Sequence, residues 1–136
     1  MVKSEVLARV PSEDLRVYMV WLPILGSDTQ EAAGESANAV GDRRVTHYWD
    51  PELMFARSLG EVLSIPPSPR RDQGFRTGVA WDVYLAYPRG VTWAGAPPSK
   101  AFWMQQLSQV TAEQAPELDG ARLREHIESL LAPGGG

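Results

Sequence analysis

Three aspartates stand where chemistry could begin: Asp28, Asp50 and Asp82, each near the end of an expected element. Carboxylates gathered at one end of a sheet can act as acid and base, or hold Mg²⁺ or Ca²⁺ in an all-oxygen shell. An aspartate just before a helix also serves simply as its N-cap, and this is the first reading of Asp28 and Asp50. Asp82 differs. It lies between Ala80 and Tyr84 in a mainly apolar run, where a carboxylate must be hydrogen-bonded or protonated. Five tryptophans accompany these acids, and the dipeptide Trp-Asp occurs at Trp49-Asp50 and again at Trp81-Asp82. Apolar walls with a few polar groups are the makings of a ligand site. Trp21 and Trp81 are the candidate walls, whereas Trp103 reads as core by its helical spacing to Leu107 and Val110. His47 lies in an expected strand with no nucleophile placed for it, and reads as structural. His126 falls in a charged helix and reads as surface. Ser27 with His47 and an aspartate makes a triad only on paper, because no Gly-x-Ser-x-Gly turn surrounds it. Arg70, Arg71 and Arg76 cluster in one loop, where they would either steer an anionic partner or sit solvated.

Composition narrows the chemistry further. The chain has 136 residues, 43% of them hydrophobic and 22% charged, which is ordinary globular usage for one domain. A formal charge of −4 and a pI near 5.1 argue against nucleic acid, whose phosphates need a basic face. There is no cysteine. Disulfides, thiolate metal sites, iron–sulfur clusters and thiol catalysis are therefore excluded. Two histidines exclude a poly-histidine zinc site within one chain. No metal or cofactor is expected. The opening residues are interrupted by charges and lack an apolar signal core. The longest apolar run, residues 17–25, is broken by Pro23 and falls well short of the ~20 residues that span a bilayer. The cytoplasm is the default compartment, with an exported origin left open.

The elements that must position these residues follow from periodicity. Residues 15–22 are rich in β-branched and aromatic side chains and apolar on both alternating faces. Such a strand is usually central, covered by helices on both sides. Gly26-Ser27-Asp28-Thr29 is a turn, and a helix is expected over 29–40 with Asp28 as cap and Glu31 in its first turn. A short strand over 44–49 precedes Asp50-Pro51-Glu52, which predicts a helix with Asp50 as N-cap and Pro51 at the first position. Phe55, Leu59, Val62 and Leu63 form its apolar face. Residues 65–78 hold three prolines and two glycines and are expected to be irregular, either mobile or functional. A strand over 79–87 then turns at Pro88-Arg89-Gly90 into a returning strand over 91–94. Pro97-Pro98-Ser99 is expected to open a third helix, and a last one runs over 118–131. The 1–14 segment reads as an N-terminal arm, 15–132 as a single domain, and 133–136 as a flexible tail.

This β-α-β-α-β-β-α order resembles the thioredoxin-like superfamily. The first strand ends in Val20-Trp21-Leu22-Pro23 with a helix soon after. The segment from Val79 to Gly95 looks like the family's third strand, turn, fourth strand and glycine, and Ser99 to Leu107 like its last helix. The resemblance covers roughly residues 15–110 and is of the kind found in bacterial members without Cys-x-x-Cys. It implies an α/β domain with a four-stranded mixed sheet, helices on both faces and a C-terminal helix. Where the family's cysteine pair would sit, the chain reads Leu25-Gly26-Ser27-Asp28-Thr29, and no proline precedes Trp81-Asp82. No catalytic residue carries over, and thiol–disulfide exchange requires a thiolate. The expected function is a non-catalytic binding or interaction module. Its ligand-binding residues would be Trp21, Ser27, Asp28, Trp81 and Asp82, converging at the sheet edge where the first helix begins. The partner would be a protein, a peptide or a small molecule, with a homodimer also open and neither nucleic acid nor membrane expected. The alternative is a carboxylate-based or divalent-metal-dependent enzyme using Asp28 and Asp82.

Overall fold

The computed structural model describes residues 1–67, 78–98 and 101–134. Arg70, Arg71 and Arg76, and most of the irregular stretch that holds them, lie outside the described residues. So does the end of the expected tail. The fold is mixed α/β. Its residues cluster into two compact units, Leu15–Trp81 and Met1–Asp14 with Asp82–Gly136. We call these the βα unit and the ribbon unit.

The βα unit has the order β1 (Val17–Trp21), α1 (Gln30–Val40), β2 (Val45–Trp49), α2 (Met54–Val62). Strands β1 and β2 pair in parallel, with Val17 opposite Val45 and Trp21 opposite Trp49. The intervening helix makes that direction possible, since parallel strands need a crossover. Helix α1 is capped by Thr29, whose side chain accepts from the Ala32 amide at 3.1 Å. The expected cap, Asp28, is one residue too early and holds the preceding turn instead. Gly41 ends α1 in the left-handed region, φ 59°, where glycine is favoured. Asp42 then binds Arg44 through its side chain at 2.7 Å, tying down the start of β2. On one face of this sheet, two tyrosines lie exposed. Tyr18 and Tyr48 are 64% and 53% exposed, their rings 6.4 Å apart. Helices on both faces were expected. Tyrosine hydroxyls let these side chains remain in water, and the apolar reading of that face overlooked them.

Residues 78–81 do not begin a strand as expected. The Ala80 amide donates to the Ala56 carbonyl of α2 at 2.9 Å, and Val79 and Ala80 are buried. The approach is close enough that a Cβ on Gly78 would strike the Ile65 carbonyl, and one on Gly60 the Gly78 carbonyl. Asp82 follows with φ 49°, which breaks any extended run. The third strand is therefore only β3 (Val83–Ala86).

In the ribbon unit β3 pairs antiparallel with β4 (Phe102–Gln105), Ala86 opposite Phe102 and Val83 opposite Gln105. The expected four-stranded mixed sheet is thus replaced by two sheets of two strands. The expected returning strand at 91–94 is irregular. The Tyr87 ring meets Trp93 edge-on at 5.5 Å, and its hydroxyl donates to the Pro98 carbonyl at 3.3 Å. Within the range expected as a helix, Ser99 to Leu107, Phe102–Gln105 form strand β4 instead, and Ser99 lies outside the described residues. Phe102-Trp103-Met104 suits a pleated surface, and the spacing of Trp103, Leu107 and Val110 fitted a helix by coincidence of period. Gln105 is 2% exposed and fully bonded. Its Nε2 donates to the Ala115 carbonyl, its Oε1 accepts from the Leu107 amide, and its backbone bonds Pro116 and Leu118. Helix α3 (Gly120–Leu131) is capped by Asp119, whose carboxylate accepts from the Arg122 amide at 2.9 Å. The 1–14 segment carries a wide helical turn, Val2–Leu7, with Val6, Leu7 and Val10 buried. Its Glu5 takes an ion pair from Arg124 of α3 at 3.4 Å.

Candidate functional site at the carboxyl edge of the parallel strands

Ligands of open α/β folds bind beyond the carboxyl ends of parallel strands. In the βα unit that edge is formed by the loops after β1 and β2. Asp28 closes the first. Its Oδ2 accepts from the Ile24 amide at 3.1 Å and the Leu25 amide at 2.7 Å. Asp50 closes the second. Its Oδ1 accepts from the Met54 amide at 2.9 Å and its Oδ2 from the Ala56 amide at 3.0 Å. Asp50 is buried, and these bonds supply the partners its charge requires. It caps α2 across a turn, because Pro51 and Glu52 loop out and the helix starts only at Met54. The expected adjacent cap, with Pro51 as first helical residue, is corrected accordingly.

The two loops share more than a clamp. Ile24 and Leu53 both pack against the buried pair Ala56 and Val79, together with Leu22 and Trp81. Their chain neighbours Leu25 and Met54 are 53% and 69% exposed. Leu53 sits at φ 57°, a left-handed conformation that costs a non-glycine residue about 1–2 kcal/mol. It is fixed there by its own amide, which donates to the Asp50 carbonyl at 3.3 Å. Scattered exposed leucines mean little. Leu25 and Met54 differ in that each has its amide held by a carboxylate and one follows a strained residue.

The sequence-predicted residues distribute unevenly. Trp21, Ser27, Asp28 and Trp81 belong to the βα unit and Asp82 to the ribbon unit. Trp81 is half-buried on the Ala56–Val79 cluster. Ser27 is exposed in the Asp28-held loop. Trp21 is half-buried, with its Nε1–H donating to His47 Nδ1 at 3.1 Å and its ring stacked 6.0 Å from the imidazole. His47 therefore has the structural role expected of it. His126, read as surface, is half-buried and stacks on Phe102 at 4.0 Å. Asp82 is exposed at the start of β3, yet nearby protein atoms partly desolvate its carboxyl and push its pKa up. Partial burial, and then the charge of Asp82, raise the Tyr84 hydroxyl in turn. That hydroxyl bonds Gln106 Oε1 at 3.4 Å. Among the described residues no group of three or more histidine, aspartate or glutamate side chains could hold a metal ion. No described helix is long and apolar enough to cross a membrane.

Leu25, Leu53 and Met54 were missed by sequence reasoning. The available signal was two aspartates following two strands, each three or four residues from a large apolar residue in the same loop or helix start. The ribbon unit offers a contrasting hollow of about 360 Å³ lined by Asp14, Arg89 and residues 130–134. Its Arg89–Asp14 pair, 2.7 Å apart, is bathed in solvent and worth at most about 1 kcal/mol. Comparison with known proteins finds no matching family model, no matching curated protein and no matching solved structure.

Proposed function

We propose that the chain is a non-catalytic recognition module that takes an apolar peptide segment at the carboxyl edge of β1 and β2. One observation carries this reading. Leu25 and Met54 are exposed while Asp28 and Asp50 fix their backbones, and their chain neighbours Ile24 and Leu53 pack on the Ala56–Val79 cluster. Rigid presentation reduces the ordering cost of binding, which for a rotamer-rich interface side chain is about 0.5–1.5 kcal/mol. Methionine adds an adaptable surface, useful where the partner's shape varies. Trp81 lines the floor, and Trp21 and Ser27 belong to the supporting loop and strand. The thioredoxin-like resemblance is kept here as a proposal for the β1–α1–β2–α2 order, and the cytoplasm as the default compartment.

The carboxylate-enzyme alternative has less behind it. Asp28 commits its Oδ2 to two backbone amides, which suits holding a loop rather than transferring a proton.

Selection from a displayed random-peptide library, with the intact protein as bait, tests the proposal. Peptides with an apolar centre are expected. Their binding should fall at least tenfold in the Leu25→Ser, Met54→Ser double variant while circular dichroism stays unchanged. Failure to enrich any peptide, or enrichment of peptides indifferent to that double change, would refute it.

A further inference from the structure

Histidine is the side chain whose ordinary titration falls between about pH 5 and 8. Of the chain's two histidines, only His47 belongs to the βα unit. It lies at the middle of β2, opposite Met19 of β1. Its ring is nearly parallel to the Trp21 indole, with 19° between the planes, and its Nδ1 accepts the indole N–H at 3.1 Å. An indole N–H can only donate, so Nδ1 carries a lone pair here and the ring proton sits on Nε2. Among the described residues His47 is the one hydrogen-bond partner of that indole N–H. A second ring proton has a single place to go, Nδ1, and it turns the acceptor into a donor. Two N–H groups then face each other, and the bond is lost.

The surrounding charges are few. β1 and α1 pack against β2. The one titratable side chain of β1, Tyr18, shares the other face of the sheet with Tyr48. Helix α1 carries Glu31 and Glu35, and α2 carries Arg57 and Glu61, all four exposed. At the two ends of β2, Arg44 is paired with Asp42, and Asp50 accepts from backbone amides.

We infer that the Trp21–His47 pair is a pH-sensitive latch on the end of β1, closed while the imidazole is neutral and open once it is protonated. Opening takes up a proton from solvent, so it is favoured as pH falls and disfavoured as pH rises. Trp21 is the last residue of β1. Its carbonyl still accepts from the Asp50 amide at 3.0 Å, which keeps the strands paired. The chain that follows, with Leu22 and Ile24 on the Ala56–Val79 cluster, loses the side-chain anchor before it. The loop that Asp28 holds is thereby ordered at neutral pH and looser in acid. This latch does not depend on what the loop binds.

The test uses the full chain and ¹H–¹⁵N NMR from about pH 8 to about pH 5, with the Trp21 indole signal assigned by its absence in Trp21→Phe. The indole N–H should move along the same titration curve as the His47 ring, whose ¹⁵N shifts should place the proton on Nε2 at the alkaline end. The amides of Leu22, Ile24 and Leu25 should exchange about tenfold faster at the acid end, after correction for intrinsic rates. His47→Gln keeps an acceptor that does not titrate, and should abolish both responses with circular dichroism unchanged. Trp21→Phe removes the donor, and should leave those amides fast-exchanging at both ends. An indole signal indifferent to the His47 titration, a neutral ring with its proton on Nδ1, or an acid response that persists in His47→Gln would each overturn the latch.

Discussion

The two units each hold a two-stranded sheet, but they solve the same problem differently. In the ribbon unit, strand β4 is completed by distant chain. Gln105 bonds residues 115, 116 and 118, and the N-terminal turn is tied to α3 through Glu5 and Arg124. Met104 is wholly buried there. In the βα unit, order at the sheet edge comes from short-range carboxylate bonds. The most buried side chains nearby are small, Ala56 and Val79, while Trp21, Trp49 and Trp81 remain half-buried. Both units leave large apolar groups at the surface, Val91 and Trp93 in the ribbon unit and Leu25 and Met54 in the βα unit. Those of the βα unit have their amides held by the carboxylates of Asp28 and Asp50.

The largest test of this contrast is at Gly78. Alanine there would drive its Cβ into the Ile65 carbonyl, and backbone cannot yield cheaply. Gly78→Ala should cost about 3 kcal/mol or more and lower Tm by roughly 10 °C. Gly60→Ala should behave alike. A neutral result in calorimetry would mean that the segment before β3 does not pack on α2 as described.

Asp50→Ala comes next. It strips the Met54 and Ala56 amides of their acceptor at a buried position, and should cost about 2–3 kcal/mol by urea unfolding. Asp28→Ala, at a more exposed turn, should cost only about 1 kcal/mol. Both should weaken peptide binding by more than their loss of stability explains, because each frees an apolar side chain that was fixed. If Asp28→Ala leaves peptide affinity intact, rigid presentation is not what the clamp provides.

The smallest effects are electrostatic and opposite in sign between the units. In the βα unit, chiefly its side-chain bond to Arg44 holds the Asp42 carboxyl down at about 2, against 3.8 ordinarily. A depressed pKa stabilises the fold above about 3.8, and that contribution is lost as pH falls toward about 2. Asp42→Asn should flatten the acid limb of the stability profile. In the ribbon unit, desolvation raises the Asp82 pKa, so its ionised form opposes folding at neutral pH. That opposition disappears as pH falls through the raised value. Asp82→Asn should thus raise Tm slightly at pH 7, helped by asparagine's tolerance of φ 49°. Opposite behaviour of the two variants across pH 2–7 would reverse this assignment.

Legibility followed the same division. The order β1, α1, β2, α2 was readable because each element carries its own signal: apolar runs, Thr29 beside Asp28, Gly41, and Asp50-Pro51. What failed was finer, the choice between Asp28 and Thr29 as cap and the turn inserted after Asp50. Helix α3 was readable from its apolar face, although its cap Asp119 fell inside the expected helix. Strand β4 was not, because its partners are 83–86, 105 pairs with 117, and no local pattern encodes such contacts. The four-stranded sheet failed for the same reason, since register between distant strands is set by tertiary packing. Of the candidate site, Asp28 and Trp81 were legible by type. Leu25 and Met54 were not, because exposure is a property of the folded surface.

The central claim is that recognition occurs over the Ala56–Val79 cluster, between the two clamped loops. A ¹⁵N-correlation NMR titration with a peptide selected from the displayed library addresses it most directly. The amides of residues 24–28 and 53–56 and the Trp81 indole should shift together with one dissociation constant, while Tyr84 and Gln106 stay in place. Shifts confined to the ribbon unit, or none at residues 24–28 and 53–56 at saturating peptide, would contradict the account.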